Sequence, residues 1–426
     1  MKSHELLRYG LAIPVVSAGF LNFEFPSDSF EPVAFNVHVN ETFIEETLTK
    51  VRLYRPSVDL LDSEVSNRGW IEGPPQEAMT ALAKDWAEDY NWYEVEDEIN
   101  ANFSHYGITI NGPDTYSHPV PVHFVHERSE NPDAIPLLML HGWPSSHIEW
   151  SKVIKPLVTP EEPSDTAFHV VVPDIPGAGF SPSPEYSGMG PSEIGLIFDS
   201  LMKQLGYETY GVASTDFGWM IGMWMAHHAS DSIIGHFSDF FLMQPNATDL
   251  ERFENNQTTP EETNFIHSVQ SWFAEHSSYS TVHSQAPLAI GQAVADSPVG
   301  FAGWMWHLVH AVSDGYAYTS KEIITNALML WIPGPWGNMR WYREAYAPGA
   351  MDYPRTTVPA GVTQWGSPNG PFSDFVYFHL VPRDWLERLV NVVYLKVHEE
   401  GGHFPAQNLP DAWVQDAREF FSQVTE

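Results

Sequence analysis

The chain has 426 residues, 43% of them hydrophobic and 14% aromatic, enough for a large buried core and a second subdomain. Lys and Arg number 20 against 55 Asp and Glu, a formal charge of −35, so the surface should repel nucleic acid and anionic membranes. There is no cysteine, which excludes disulfides, thiolate metal sites and a Cys nucleophile.

No apolar run reaches the length of roughly 18 residues that an ordinary membrane-spanning helix needs, so no integral span is expected. Residues 9–21, YGLAIPVVSAGFL, follow Lys2 and Arg8 as a short apolar run. Glu5 and Pro14 argue against reading it as a secretory signal, and cytoplasmic placement is favoured over secretion. N-x-S/T sequons begin at Asn40, Asn102, Asn246 and Asn256 and decide nothing about location.

Residues 1–130 read as an N-terminal extension. They carry helical stretches such as PPQEAMTALAKDWAEDY, opened by Pro74 and Pro75, and end in the alternating run VPVHFVHE, a strand. Over 131–245 apolar strand runs alternate with helices: IPLLML (135–140), FHVVVP (168–173) and YGVAS (210–214). Such unbroken runs fit a parallel sheet covered on both faces. Residues 246–355 are rich in Trp, Met and helix formers and read as a helical lid. Residues 356–426 return to the core, with VVYLKVH (392–398) as last strand and DAWVQDAREFFSQV as a closing amphipathic helix. The pattern predicts a doubly wound, mostly parallel α/β sheet interrupted by the lid.

Residues 210–222, YGVASTDFGWMIG, run from a strand through small-x-Asp-x-Gly into an apolar helix. This is the nucleophile-elbow pattern with Asp216 in the nucleophile position. Small Ser214 and Gly218 let strand and helix pack closely, and the helix N-terminus favours a carboxylate. Taken alone, an N-cap aspartate explains the fragment equally well. IPLLMLHGWP (135–144) places His-Gly-Trp-Pro directly after a strand, so that Gly142 can turn a backbone N–H, that of Trp143, toward the reaction centre. With the N–H of Phe217 it would form an oxyanion hole. EEGGHFPA (399–406) sets His403 after the last strand, where such a fold places its base.

These blocks resemble the microsomal-type branch of the epoxide hydrolases, α/β-hydrolases with an N-terminal extension and a lid. The resemblance spans roughly residues 30–420 and includes WAEDYNWYEVEDEINANFSHY, HGWP, the Asp elbow, ADSPVG, MRWYREAY and GGHF. It implies two lid tyrosines that hydrogen-bond the epoxide oxygen, Tyr279 and Tyr342. It implies an epoxide as substrate, no cofactor and no metal, and it leaves homodimerisation open. Trp143, Phe217 and Trp304 are the expected substrate contacts, and the weight of Trp, Phe and Met in the lid points to an apolar epoxide.

Two positions depart from the pattern. Phe217 stands where the family usually carries Trp. The acid that should orient His403 is missing: five residues before Pro382 stands Tyr377. Asp374, 29 residues before His403, is the candidate, with Asp249, Glu399 and Glu400 as further options. Three other readings remain open: a natural-product tailoring enzyme on the same scaffold, a dehalogenase, against which Phe217 argues, and a ligand-binding protein without turnover.

Overall fold

The computed structural model describes residues 21–59 and 70–425; all but the last residue of the apolar run 9–21 lie outside them. Nine strands form one sheet: β1 (Val33–Ala34), β2 (His105–Asn111), β3 (Pro119–Glu127), β4 (Ile135–Leu140), β5 (Phe168–Pro173), β6 (Tyr210–Ser214), β7 (Ile233–Ser238), β8 (Pro359–Trp365) and β9 (Asn391–His398). Their spatial order is β1-β2-β3-β5-β4-β6-β7-β8-β9. The pairings from β1 to β5 through β3 are antiparallel, and those from β5 to β9 are parallel.

Leu137, Leu138, Val170, Val171, Val212 and Ala213 in the central strands are wholly buried, because helices cover both faces of the parallel part. The helices Pro191–Gln204 and Asp216–His228 pack against each other on one face. The closing helix Pro410–Thr425 packs against β7 and β8, setting Trp413 and Phe420 beside Phe237. This arrangement is the α/β-hydrolase fold.

Between β7 and β8 the chain builds helices alone, from Ala247–Glu254 to Trp341–Ala345. Their starts are written in the sequence: Thr259 with Glu262 and Thr319 with Glu322 form reciprocal capping boxes. The N-terminal helices Glu41–Arg52 and Gln76–Glu88 pack on helices Pro298–Val312 and Ser320–Trp331 of this insert.

Glu96 ties the extension together. On helix Trp92–Asn102, its buried carboxylate accepts from Val39 N–H (2.8 Å), Trp92 Nε1 (2.8 Å) and His38 Nδ1 (2.9 Å). Removing it would leave buried donors unpaired. Glu96→Ala should therefore lower stability by about 2–3 kcal/mol, read from urea unfolding, with the same slope against denaturant.

Candidate active site

Asp216 sits where β6 turns sharply into the helix Asp216–His228, with φ at 42°. A non-glycine residue in that left-handed region is held there by its surroundings. The turn works because its neighbours are small: a Cβ on Gly218 would collide with the Leu140 carbonyl, and one on Gly142 with the Asp216 side chain itself.

The carboxylate is largely buried. Trp143 N–H donates to its Oδ1 at 2.8 Å, and the nearby Phe217 N–H also favours the charged form. Burial raises the carboxyl to about 6 in spite of these two donors. Two further acids lie behind the elbow. Glu149 Oε2 accepts from Gly142 N–H at 3.4 Å, and Asp239 Oδ2 accepts from Trp413 Nε1 at 2.7 Å. Burial holds Glu149 well above the usual carboxylate range and Asp239 at about 7. No motif marked either one.

The cavity above Asp216 is walled by Met220, Leu242, Trp272, Leu308, Val312 and Phe378. Tyr279, on helix Ser278–Gln285, and Tyr342, on helix Trp341–Ala345, both reach it. Their hydroxyls lie 3.5 Å apart. Tyr279 stacks on Trp143 at 5.2 Å, and Tyr342 meets the edges of Trp143 and Phe217. Burial, with Asp216 adding to it, pushes both phenols well above 10, so each is a neutral donor at ordinary pH. A third phenol, Tyr346, lines the same space.

His403 enters from the opposite side, in the loop after β9. Its N–H is fixed on the Val312 carbonyl at 2.8 Å. Its Nε2 faces Asp216 Oδ2 at 3.7 Å, beyond direct hydrogen-bond reach. Burial lowers the imidazole to about 4.

Residues 32–150 match the epoxide hydrolase N-terminus family, and residues 135–260 match the alpha/beta hydrolase fold family. Over these stretches the chain is similar to the epoxide hydrolases. It is 27% identical to the juvenile hormone epoxide hydrolase of Bombyx mori, over 90% of this chain and 84% of that one. It is 25% identical to epoxide hydrolase 1 of Sus scrofa, over 91% and 87%. In fold it is similar to the Aspergillus niger epoxide hydrolase, with a TM-score of 0.78, 23% identity, and coverage of 95% of this chain and all of that one. It is a hydrolase acting on ether bonds.

Three expectations are corrected in this epoxide hydrolase. Asp374 does not reach His403. The short turn Ser373–Phe375 aims its carboxylate outward, where Oδ2 accepts from Ser271 Oγ at 3.2 Å, while Phe375, Phe378 and His379 take the inward positions. Asp249 is spent on Arg388, which holds it at 2.6 and 2.8 Å, and Glu399 and Glu400 are exposed. What His403 Nδ1 meets is His379 Nε2, at 3.1 Å. Trp304 stands behind the cavity, donating Nε1 to His283 Nε2 at 3.0 Å, and is not among the residues that line it. The Phe217 ring packs on Trp341 at 5.2 Å and also lies outside the lining; its backbone N–H alone meets the site.

His123, His147 and Asp174 have the chemistry of metal ligands and lie close together. They are fully buried and bonded to one another: His123 Nδ1 and His147 Nδ1 both meet Asp174 Oδ2, at 2.6 and 2.9 Å. They brace the loop after β5 rather than face the cavity.

The crowding at Gly142 can be tested. Gly142→Ala should displace the Asp216 carboxylate from the Trp143 N–H and slow epoxide turnover by on the order of a hundredfold. The near-ultraviolet circular dichroism should be unchanged.

Proposed function

We propose that this enzyme opens an apolar epoxide to a vicinal diol in two steps. Asp216, as the anion, attacks an epoxide carbon while Tyr279 and Tyr342 donate to the ring oxygen, one of them delivering the proton as the C–O bond breaks. An alkyl ester of Asp216 results. Water then attacks the ester carbonyl, and His403 Nε2 takes its proton. The N–H groups of Trp143 and Phe217 receive the oxyanion on the aspartyl oxygen; as the intermediate collapses, His403 returns its proton to the departing diol oxygen, and the proton left on the Asp216 carboxyl passes to the tyrosinate, restoring the carboxylate and both phenols.

One observation carries this reading. The two backbone donors converge on the nucleophile's own carboxylate, and not on a point beside it. Such an arrangement serves a reaction in which the aspartyl carbonyl is itself the electrophile of the second step. The paired phenols across the cavity supply the complementary proton. The apolar walls suit a hydrocarbon-bearing epoxide and disfavour a charged one.

Each step has its own test. Asp216→Asn removes the attacking anion and should lower turnover by several orders of magnitude. Tyr279→Phe and Tyr342→Phe should each slow alkylation by about tenfold or more, and the double variant should be slower still. Normal alkylation rates in both single variants would mean that other donors serve the oxygen.

The two pKa values give a pH signature. A nucleophile whose carboxyl lies near 6 loses its anion as pH falls through that value. A base lowered to about 4 stays neutral, hence active, throughout that window. Alkylation measured by rapid quench should therefore decline below about pH 6 while ester hydrolysis continues, so alkylated enzyme should not build up between pH 4 and 6.

A further inference from the structure

The partner of His403 is the least ordinary feature of the site. An imidazole that accepts a proton at Nε2 must carry its other hydrogen on Nδ1, and something must hold that hydrogen. Here the ring facing Nδ1 is His379, and both side chains are buried. His379 stands three residues before Pro382 on the loop after β8, and its ring is clamped between Phe378 and Phe240. Its Nε2 is the atom 3.1 Å from His403, while its Nδ1 is buried with no hydrogen-bond partner.

The other ionisable groups described around His403 are directed elsewhere. Asp216 faces Nε2. Asp239, at the end of β7, bonds Trp413, and Glu149 bonds Gly142. Asp314, after helix Pro298–Val312, is taken by the N–H groups of Asn369 and Gly401. Tyr279, Tyr342 and Tyr346 stand across the cavity. Among the described residues no carboxylate bonds Nδ1.

We infer that His379 is the positioning residue of the hydrolytic step: as a neutral acceptor at Nε2 it fixes the Nδ1–H tautomer of His403. The inference rests on the hydrolytic reading of the site. The order of protons follows from that role. His403 Nδ1–H donates to His379 Nε2, so the remaining His379 hydrogen sits on Nδ1. When His403 Nε2 takes the proton of the attacking water, the charge is shared over two imidazoles and no anion neutralises it. A carboxylate in that place would raise the affinity of His403 for protons; a histidine does not. The base therefore stays free at acidic pH, and the cost is a less stabilised imidazolium in the hydrolytic transition state.

The test uses the full chain and styrene oxide as probe, with rapid quench and intact-mass spectrometry to separate alkylation from ester hydrolysis. His379→Leu should slow ester hydrolysis by on the order of tenfold or more while alkylation stays within about twofold, so that alkylated enzyme accumulates. His379→Gln, whose amide oxygen can accept from Nδ1, should recover most of the loss. His379→Glu should move the acid limb of ester hydrolysis upward, toward the ordinary histidine range. Wild-type hydrolysis rates and pH limb in both the Leu and Glu variants would overturn the inference. So would Gln behaving as Leu does when both unfold at the wild-type temperature. An independent reading needs no turnover. Long-range ¹H–¹⁵N spectra, with His403 assigned by His403→Gln, should show the Nδ1–H tautomer in wild type and its loss in His379→Leu. The Nε2–H tautomer in wild type would overturn the inference. If wild type takes up no probe yet shows the tautomer, the hydrolytic reading fails and the positioning contact stands.

Discussion

A buried carboxylate must be held as an anion without being used up by its holders, and that constraint shapes everything near Asp216. Two backbone N–H groups meet it, and among the described residues no Arg or Lys does. An ion pair would fix the charge too firmly for attack on carbon; one amide from the loop after β4 and one at the helix N-terminus leave a lone pair free. The backbone accepts a left-handed φ at the elbow, and the positions around it must be small. Gly142 is kept small by the Asp216 side chain itself, and Gly218 by the Leu140 carbonyl beside the elbow.

Fold and site meet at this turn. β4 and β6 are neighbours in the parallel sheet, so the loop after one and the elbow after the other open at the same edge. The Trp143 amide comes from the first and Asp216 from the second. β9 delivers His403 from further along the same edge, and the helical insert closes over it with Tyr279 and Tyr342. The N-terminal helices pack on that insert, away from the chemistry, which makes them a brace for the tyrosines.

Much of this was legible in the sequence because the signals are local. Unbroken apolar runs gave β4, β5 and β6, and small-x-Asp-x-Gly gave the elbow. Family blocks led to Tyr279 and Tyr342, which the structure places in one cavity with Asp216 and His403. The orienting acid could not be read in the same way. Counting residues back from Pro382 assumes a loop of fixed course, but the turn Ser373–Phe375 rotates Asp374 outward and brings His379 in. A histidine in that role carries no spacing signature, and the chain has 20 of them. Trp304 misled for a related reason: an aromatic in an apolar helix lines a cavity or packs behind it, and periodicity alone does not distinguish the two. Glu149 and Asp239 were hidden because a lone acid in a loop is most often solvated, and only packing reveals its burial.

The central claim is that the oxygen delivered to the substrate comes first from Asp216 and not from water. Single-turnover reaction of excess enzyme with styrene oxide in H₂¹⁸O tests it directly, by mass spectrometry of the diol and of the peptide containing Asp216. The account predicts an unlabelled diol and ¹⁸O in the Asp216 carboxyl group. A diol carrying the label, with Asp216 unlabelled, would show that water attacks the epoxide directly and would contradict it.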